Sequence, residues 1–150
     1  MSIPRAPLLL GLAGTLPFIW SALTVLVPDL AELTISLVGP RFIGPYVGIF
    51  YGAVILSFMS GVLWGFATRM TGSNATTGYI LSVSPALWVF FTTGGGSDRA
   101  SVFLIIGFAG ILAIDWLFWR EGVAPGWWMN LRLIITAIVL LCLTVTMWAA

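Results

Sequence analysis

Residues 46–68 read YVGIFYGAVILSFMSGVLWGFAT, and not one of these side chains is charged. A helix rises 1.5 Å per residue, so this stretch reaches about 34 Å, enough to cross a hydrocarbon core ~30 Å thick. Tyr46, Phe50 and Tyr51 stand at its start and Trp64 near its end, and Arg69 closes it. Aromatic rings and an arginine at the two ends are what a membrane–water boundary selects.

Working outward from this stretch, four more segments have the same character. Residues 7–27 form an apolar run that ends at Pro28-Asp29, with Pro17 inside it. Proline removes a backbone donor and crowds the preceding turn, so a kink is expected there. Arg5 followed by Leu8, Leu9 and Leu10 resembles the start of a signal peptide, but the apolar run continues through Trp20 to Val27 and is read as a retained span. Residues 78–93 are shorter and carry Ser82, Ser84 and Pro85, so they are expected to cross only barely or to be broken. Residues 100–119 and 127–148 complete the set. Between the first two spans, residues 29–39 place Leu30, Leu33 and Leu37 at helical spacing among Asp29, Glu32 and Thr34. That pattern is too short and too polar to cross, and fits either a surface helix ending at Gly39-Pro40 or a loop.

Composition agrees. Apolar residues make up 60% of the 150-residue chain and charged residues 7%, against roughly a quarter charged in ordinary globular domains. The expected fold is all-α, a single integral-membrane bundle of five transmembrane helices. Gly94-Gly95-Gly96-Ser97 reads as a turn and not as a phosphate loop, since no strand precedes it and no lysine follows. The chain shows no internal repeat of the kind that marks inverted-repeat transporters.

What is missing narrows the chemistry. The six basic residues are Arg5, Arg41, Arg69, Arg99, Arg120 and Arg132, and the chain contains neither lysine nor histidine. Schiff-base lysines are excluded, and so are the commonest metal ligand and the commonest general base. Cys142 is the only cysteine, which rules out an internal disulfide or a multi-cysteine metal site. A net charge of +1 suggests no nucleic-acid partner. No catalytic, metal-binding or cofactor-binding residue is therefore expected, and the protein is read as not an enzyme. A bound lipid or quinone stays open, because such a site needs only an apolar groove and one or two polar contacts.

Arginine placement predicts the orientation. With five crossings, Arg5, Arg69, Arg120 and Arg132 share the side of the N-terminus, and Arg41 and Arg99 lie opposite. The N-terminus is expected in the cytoplasm, the C-terminus outside, and the protein in the inner (cytoplasmic) membrane.

Two residue constellations stand out. On the second span Ala53, Ser57, Gly61 and Gly65 recur every fourth position, with Gly48 and Gly52 just before them, and Gly107 and Gly110 form a shorter counterpart on the fourth. Small residues let helix backbones approach closely. Internal packing of the bundle is the favoured reading, with a partner or oligomer interface as the other. The second constellation is polar. Asp115 lies five residues before Arg120, and Arg132 five after Trp127, so both sit about 7–8 Å from one membrane face by helical rise. An Asp115–Arg132 pair is expected, with Trp64 and Arg69 ending the second span at the same face and available to join the cluster. Trp116, Trp119, Trp127 and Trp128 are read as an interfacial belt.

The motifs Leu10-Gly-Leu-Ala-Gly-Thr-Leu-Pro-Phe18, Tyr51-Gly-Ala-Val-Ile-Leu-Ser-Phe58, Gly61-Val-Leu-Trp-Gly65, Ser82-Val-Ser-Pro85 and Gly122-Val-Ala-Pro-Gly-Trp127, with Asp115 and Leu131-Arg-Leu133, carry a resemblance across nearly the whole chain. Together they resemble the bacterial family called domain of unknown function 3429, which is related to mitochondrial transmembrane protein 69. The resemblance implies a small multi-span inner-membrane protein and no particular reaction. It also implies histidine at the position of Leu63 and tyrosine at Trp128, and the departure at Leu63 argues against a site built on that imidazole. The expected role is a non-catalytic accessory subunit or assembly factor of a larger membrane complex, respiratory or photosynthetic in kind, with lipids and other integral membrane proteins as partners. The alternative is a small oligomeric transporter or channel, which would need an aqueous cavity with several polar groups at mid-depth.

Overall fold

A computed structural model describes residues 2–149. Every regular element among them is helical: α1 (Arg5–Ala13), α2 (Leu16–Leu26), α3 (Pro28–Val38), α4 (Tyr46–Ala67), α5 (Gly72–Thr92), α6 (Ser97–Arg120) and α7 (Trp128–Ala149), with a single 3₁₀ turn at Pro40–Phe42. Taking α1 and α2 together as Arg5–Leu26, five helical segments are long and apolar enough to cross a membrane. The core is drawn from α2, α4, α6 and α7, where Phe18, Leu56, Leu63, Leu104, Phe108 and Leu143 are buried. Large apolar side chains also cover the outside, with Leu10, Phe58, Phe90 and Trp148 each more than 60% exposed. Water would not tolerate that surface on a monomer, whereas lipid solvates it.

The first span, where a kink at Pro17 is expected, is interrupted just before that proline. α1 stops at Ala13, Gly14 and Thr15 form a turn, and Pro17 falls in the first turn of α2. Proline has no N–H to donate into the preceding turn, and the opening of a helix is where that donor is least missed. Thr15 donates both its backbone N–H, at 3.0 Å, and its Oγ1, at 2.7 Å, to the Leu12 carbonyl, so the chain stays hydrogen-bonded across the break.

The third span departs further from expectation. α5 begins at Gly72, six residues before the position 78 read from the sequence, and runs unbroken to Thr92. Polar Ser73, Asn74, Thr76 and Thr77 hid its first two turns. Pro85 sits inside it without ending it, because Ser84 Oγ donates to the Leu81 carbonyl that Pro85 leaves unpaired, at 2.8 Å. Ser60 of α4 donates to the carbonyl of Ser82, and Trp88 Nε1 donates to the Phe103 carbonyl of α6 at 2.8 Å, tying α5 to both neighbours.

Residues 29–39 resolve as helix α3, which opens with Pro28 and ends at Gly39, whose φ of 94° only glycine adopts without strain. Of its residues only Thr34 is buried, while Leu33, Leu37 and Val38 point outward.

The small residues divide into two groups. Gly48 and Gly52 face the bundle, where a Cβ on Gly48 would lie 2.7 Å from Ser21 Oγ and one on Gly52 3.1 Å from Leu104. Gly107 backs onto Leu56 and Trp88. Ser57, Gly61, Gly65 and Gly110 are instead exposed, with Ala53 between the two groups, and a Cβ on Gly61, Gly65 or Gly110 would meet nothing within 4 Å. For these outward positions the structure does not follow the reading as internal packing. A repeat of four drifts about 40° per step around a helix turning 100° per residue, so it leaves the face on which it began.

Gly44 is the tightest glycine of the connection into α4. Its N–H donates to Thr24 Oγ1 at 2.8 Å, and a Cβ there would collide with the backbone carbonyl of Ser21. Gly44→Ala is predicted to cost about 1–3 kcal/mol, as overpacking typically does. Gly61→Ala should leave stability unchanged or raise it by up to ~1 kcal/mol. Thermal unfolding of both variants in detergent checks the contrast.

Candidate functional site

α6 and α7 form a hairpin joined through residues 121–127. The turn is closed by its own backbone, since the N–H groups of Val123 and Ala124 both donate to the Phe118 carbonyl and Gly122 takes φ of 73°. Arg69, just past the end of α4, donates from Nη1 to the Val123 carbonyl at 2.8 Å. Trp119 Nε1 donates to the Gly126 carbonyl at 3.2 Å. The turn is thereby fixed, and with it the register of the two helices.

Asp115 sits inside this hairpin with none of its surface exposed, and Arg132 is 4% exposed. Arg132 Nε donates to Asp115 Oδ2 at 2.6 Å, and Trp128 Nε1 donates to Asp115 Oδ1 at 2.8 Å. Both carboxylate oxygens are therefore satisfied. The equal depth of Asp115 and Arg132 was readable from their distances to the turn, and the two side chains do meet. Trp128 was assigned to an interfacial belt, yet its indole is part of the pair's inner surroundings, with its ring edge-on to Phe66 at 5.1 Å between centroids. The signal was present in the spacing, because Trp128, Arg132 and Thr136 are four apart and share one face of α7.

Trp64 and Arg69 do not join this cluster. Trp64 lies on the exposed side of α4 and packs against Tyr79, the rings tilted by 51° with 4.6 Å between centroids. Arg69 reaches the turn backbone instead, because it follows the end of α4 by two residues and stands beyond the depth of Asp115.

Above the ion pair lies a cavity of about 300 Å³ between the α1–α2 break and helices α4, α6 and α7. Its walls are mostly apolar, with Phe18, Tyr51, Phe58 and Phe108 supplying aromatic surface and Arg132 and Thr136 the buried polar groups. Arg132 Nη2 and Thr136 Oγ1 are fully buried and have no hydrogen-bond partner within the protein. Sequence reading missed Thr136 as a site residue, since one threonine in an apolar helix usually bonds back to its own backbone, as Thr144 and Thr146 do here.

Breaking a buried pair leaves an uncompensated charge, which typically costs about 3–5 kcal/mol. Asp115→Asn and Arg132→Gln should each lower the thermal unfolding midpoint. The double variant should lose clearly less than the sum, because no lone charge remains. Purely additive losses would contradict direct contact.

The family model described as "Protein of unknown function (DUF3429)" matches residues 3–148. Transmembrane protein 69 of Xenopus tropicalis is 29% identical over 143 residues, covering 90% of this chain and 51% of its own length. The chain thus spans about half the length of that relative. No solved structure matches it. With the family match running nearly from end to end, this five-span membrane protein belongs to the DUF3429 family, whose function is unknown.

Proposed function

We propose that the chain is a non-catalytic accessory subunit or assembly factor of a larger complex in the inner membrane. The observation that carries this reading is the outward face of α4. Ser57, Gly61 and Gly65 are exposed on the outside of the bundle, and a Cβ on either glycine would meet nothing within 4 Å among the described residues. In lipid the hydrophobic effect does not drive helices together, and close backbone approach is what favours association. A face of small residues on the outside, after Gly48, Gly52 and Gly107 have served the inside, suits a helix of another protein. Gly110 offers a second open position on α6.

The polar groups support the same reading over transport. Asp115, the one buried carboxylate among the described residues, is held by Arg132 and Trp128 near one end of the hairpin. A permeation path would call for hydrated groups through the middle of the bundle. The distribution of arginines, with Arg5, Arg69, Arg120 and Arg132 at one end and Arg41 and Arg99 at the other, supports a cytoplasmic N-terminus.

Gentle solubilisation of the tagged protein followed by mass spectrometry is expected to find stable membrane partners. Gly61→Leu combined with Gly65→Leu should abolish that co-purification while leaving the unfolding midpoint of the isolated chain in place. Self-association alone, together with solute flux in liposomes, would sink the subunit reading.

A further inference from the structure

The cavity beside Arg132 has the features of a ligand site and plays no part in the subunit reading. We propose that it binds a neutral, ring-bearing carbonyl compound dissolved in the membrane, of the quinone class, with the carbonyl oxygen accepting hydrogen bonds from Arg132 Nη2 and Thr136 Oγ1.

The polarity of the ligand follows from the donors. A guanidinium can only donate, and Arg132 Nη2 is buried without an acceptor in the protein. Thr136 Oγ1, one helical turn along the same face of α7, is also buried and free. Both residues line the same cavity, and their unpartnered donors call for an acceptor oxygen with lone pairs to spare. A hydrocarbon would leave both unsatisfied, and unmet hydrogen bonds in an apolar interior are costly.

The charge of the ligand follows from Asp115. Arg132 is already paired with that carboxylate at 2.6 Å, so the two buried charges cancel. A fatty acid carboxylate would add a third charge and leave the site net negative within a medium of low dielectric. A cation would face the donor side of Arg132. A neutral carbonyl alters no charge.

The shape follows from the walls. Phe18 lies edge-on to both Tyr51 and Phe108, at 5.4 and 5.7 Å between centroids, and these rings line the cavity. Such surfaces suit a flat ring, which stacks or sits edge-on against them. The volume of about 300 Å³ is roughly twice the ~150 Å³ that accommodates benzene in an engineered protein cavity, so one substituted ring fits. Exposed Leu10 and Phe58 also line the cavity, so it opens sideways toward lipid and an attached tail has a way out.

The test uses the full chain in nanodiscs, with saturation binding and the unfolding midpoint as readouts. Four probes share a long chain: a decyl-substituted benzoquinone, decylbenzene without an acceptor, methyl dodecanoate without a ring, and dodecanoate with a charge. The benzoquinone is expected to bind saturably and raise the midpoint, and the other three to bind at least several-fold more weakly. Thr136→Val removes the hydroxyl at nearly constant shape and should weaken the benzoquinone ~5-fold, the worth of one hydrogen bond. Ile55→Phe, which fills the cavity from α4, should abolish binding. Each variant's midpoint without probe confirms that it folds. Equal binding of decylbenzene, of the ester or of the carboxylate would overturn the proposal, as would an unchanged affinity in Thr136→Val.

Discussion

Lipid offers no hydrogen bonds, so a polar group this chain carries into the membrane is costly unless it finds a partner, and among the described residues Ser21 Oγ, Arg132 Nη2 and Thr136 Oγ1 are the buried side-chain atoms that find none within the protein. The rest of the structure depends on that constraint. Where Pro85 cannot donate, Ser84 covers the abandoned carbonyl. Where the first span breaks at Gly14-Thr15, the threonine adds its hydroxyl to the backbone N–H it already gives the Leu12 carbonyl. The indole of Trp88 and the hydroxyl of Ser60 spend their donors on backbone carbonyls of neighbouring helices, which turns local satisfaction into tertiary contact. The same rule holds most stringently at Asp115, whose two oxygens are both taken and whose charge is met by Arg132.

Packing supplies the cohesion that water would supply to a soluble bundle. The glycines of α4 show how one helix serves two neighbourhoods. Gly48 and Gly52 let α2 and α6 come close, while Gly61 and Gly65, nine and thirteen residues past Gly52 and so on the opposite face of a helix turning 100° per residue, lie on the outside. The inner glycines hold the bundle together. The outer ones leave a face that this chain does not use, and the proposed role as part of a larger assembly rests on that face.

Much of this was legible in the sequence. The five spans follow from apolar length, and the Asp115–Arg132 contact from equal distances to the Arg120–Trp127 turn. Other features were not legible, for identifiable reasons. The start of α5 was concealed because Ser73, Asn74 and Thr77 read as loop, while a helix end at an interface tolerates polar side chains well. Pro17 marked the place where the first span is disturbed, but proline alone does not announce the two-residue turn at Gly14-Thr15. Trp64 and Arg69 were placed with Asp115 by depth along the membrane, but depth fixes only one coordinate. The rotation of α4 turns Trp64 toward Tyr79 and away from α7. Thr136 and the cavity it borders arise from the meeting of five helical segments, and no local pattern announces such a meeting.

These readings share one premise, that α6 passes through the bilayer and carries Asp115 in with it. Single cysteines at Ser97 and Glu121, introduced one at a time into a Cys142→Ala background, test it most directly. A membrane-impermeant maleimide applied to intact cells and to inverted vesicles should label Ser97→Cys only from outside and Glu121→Cys only from the cytoplasmic side. Labelling of both positions from the same side would mean that α6 does not cross, and would contradict the account.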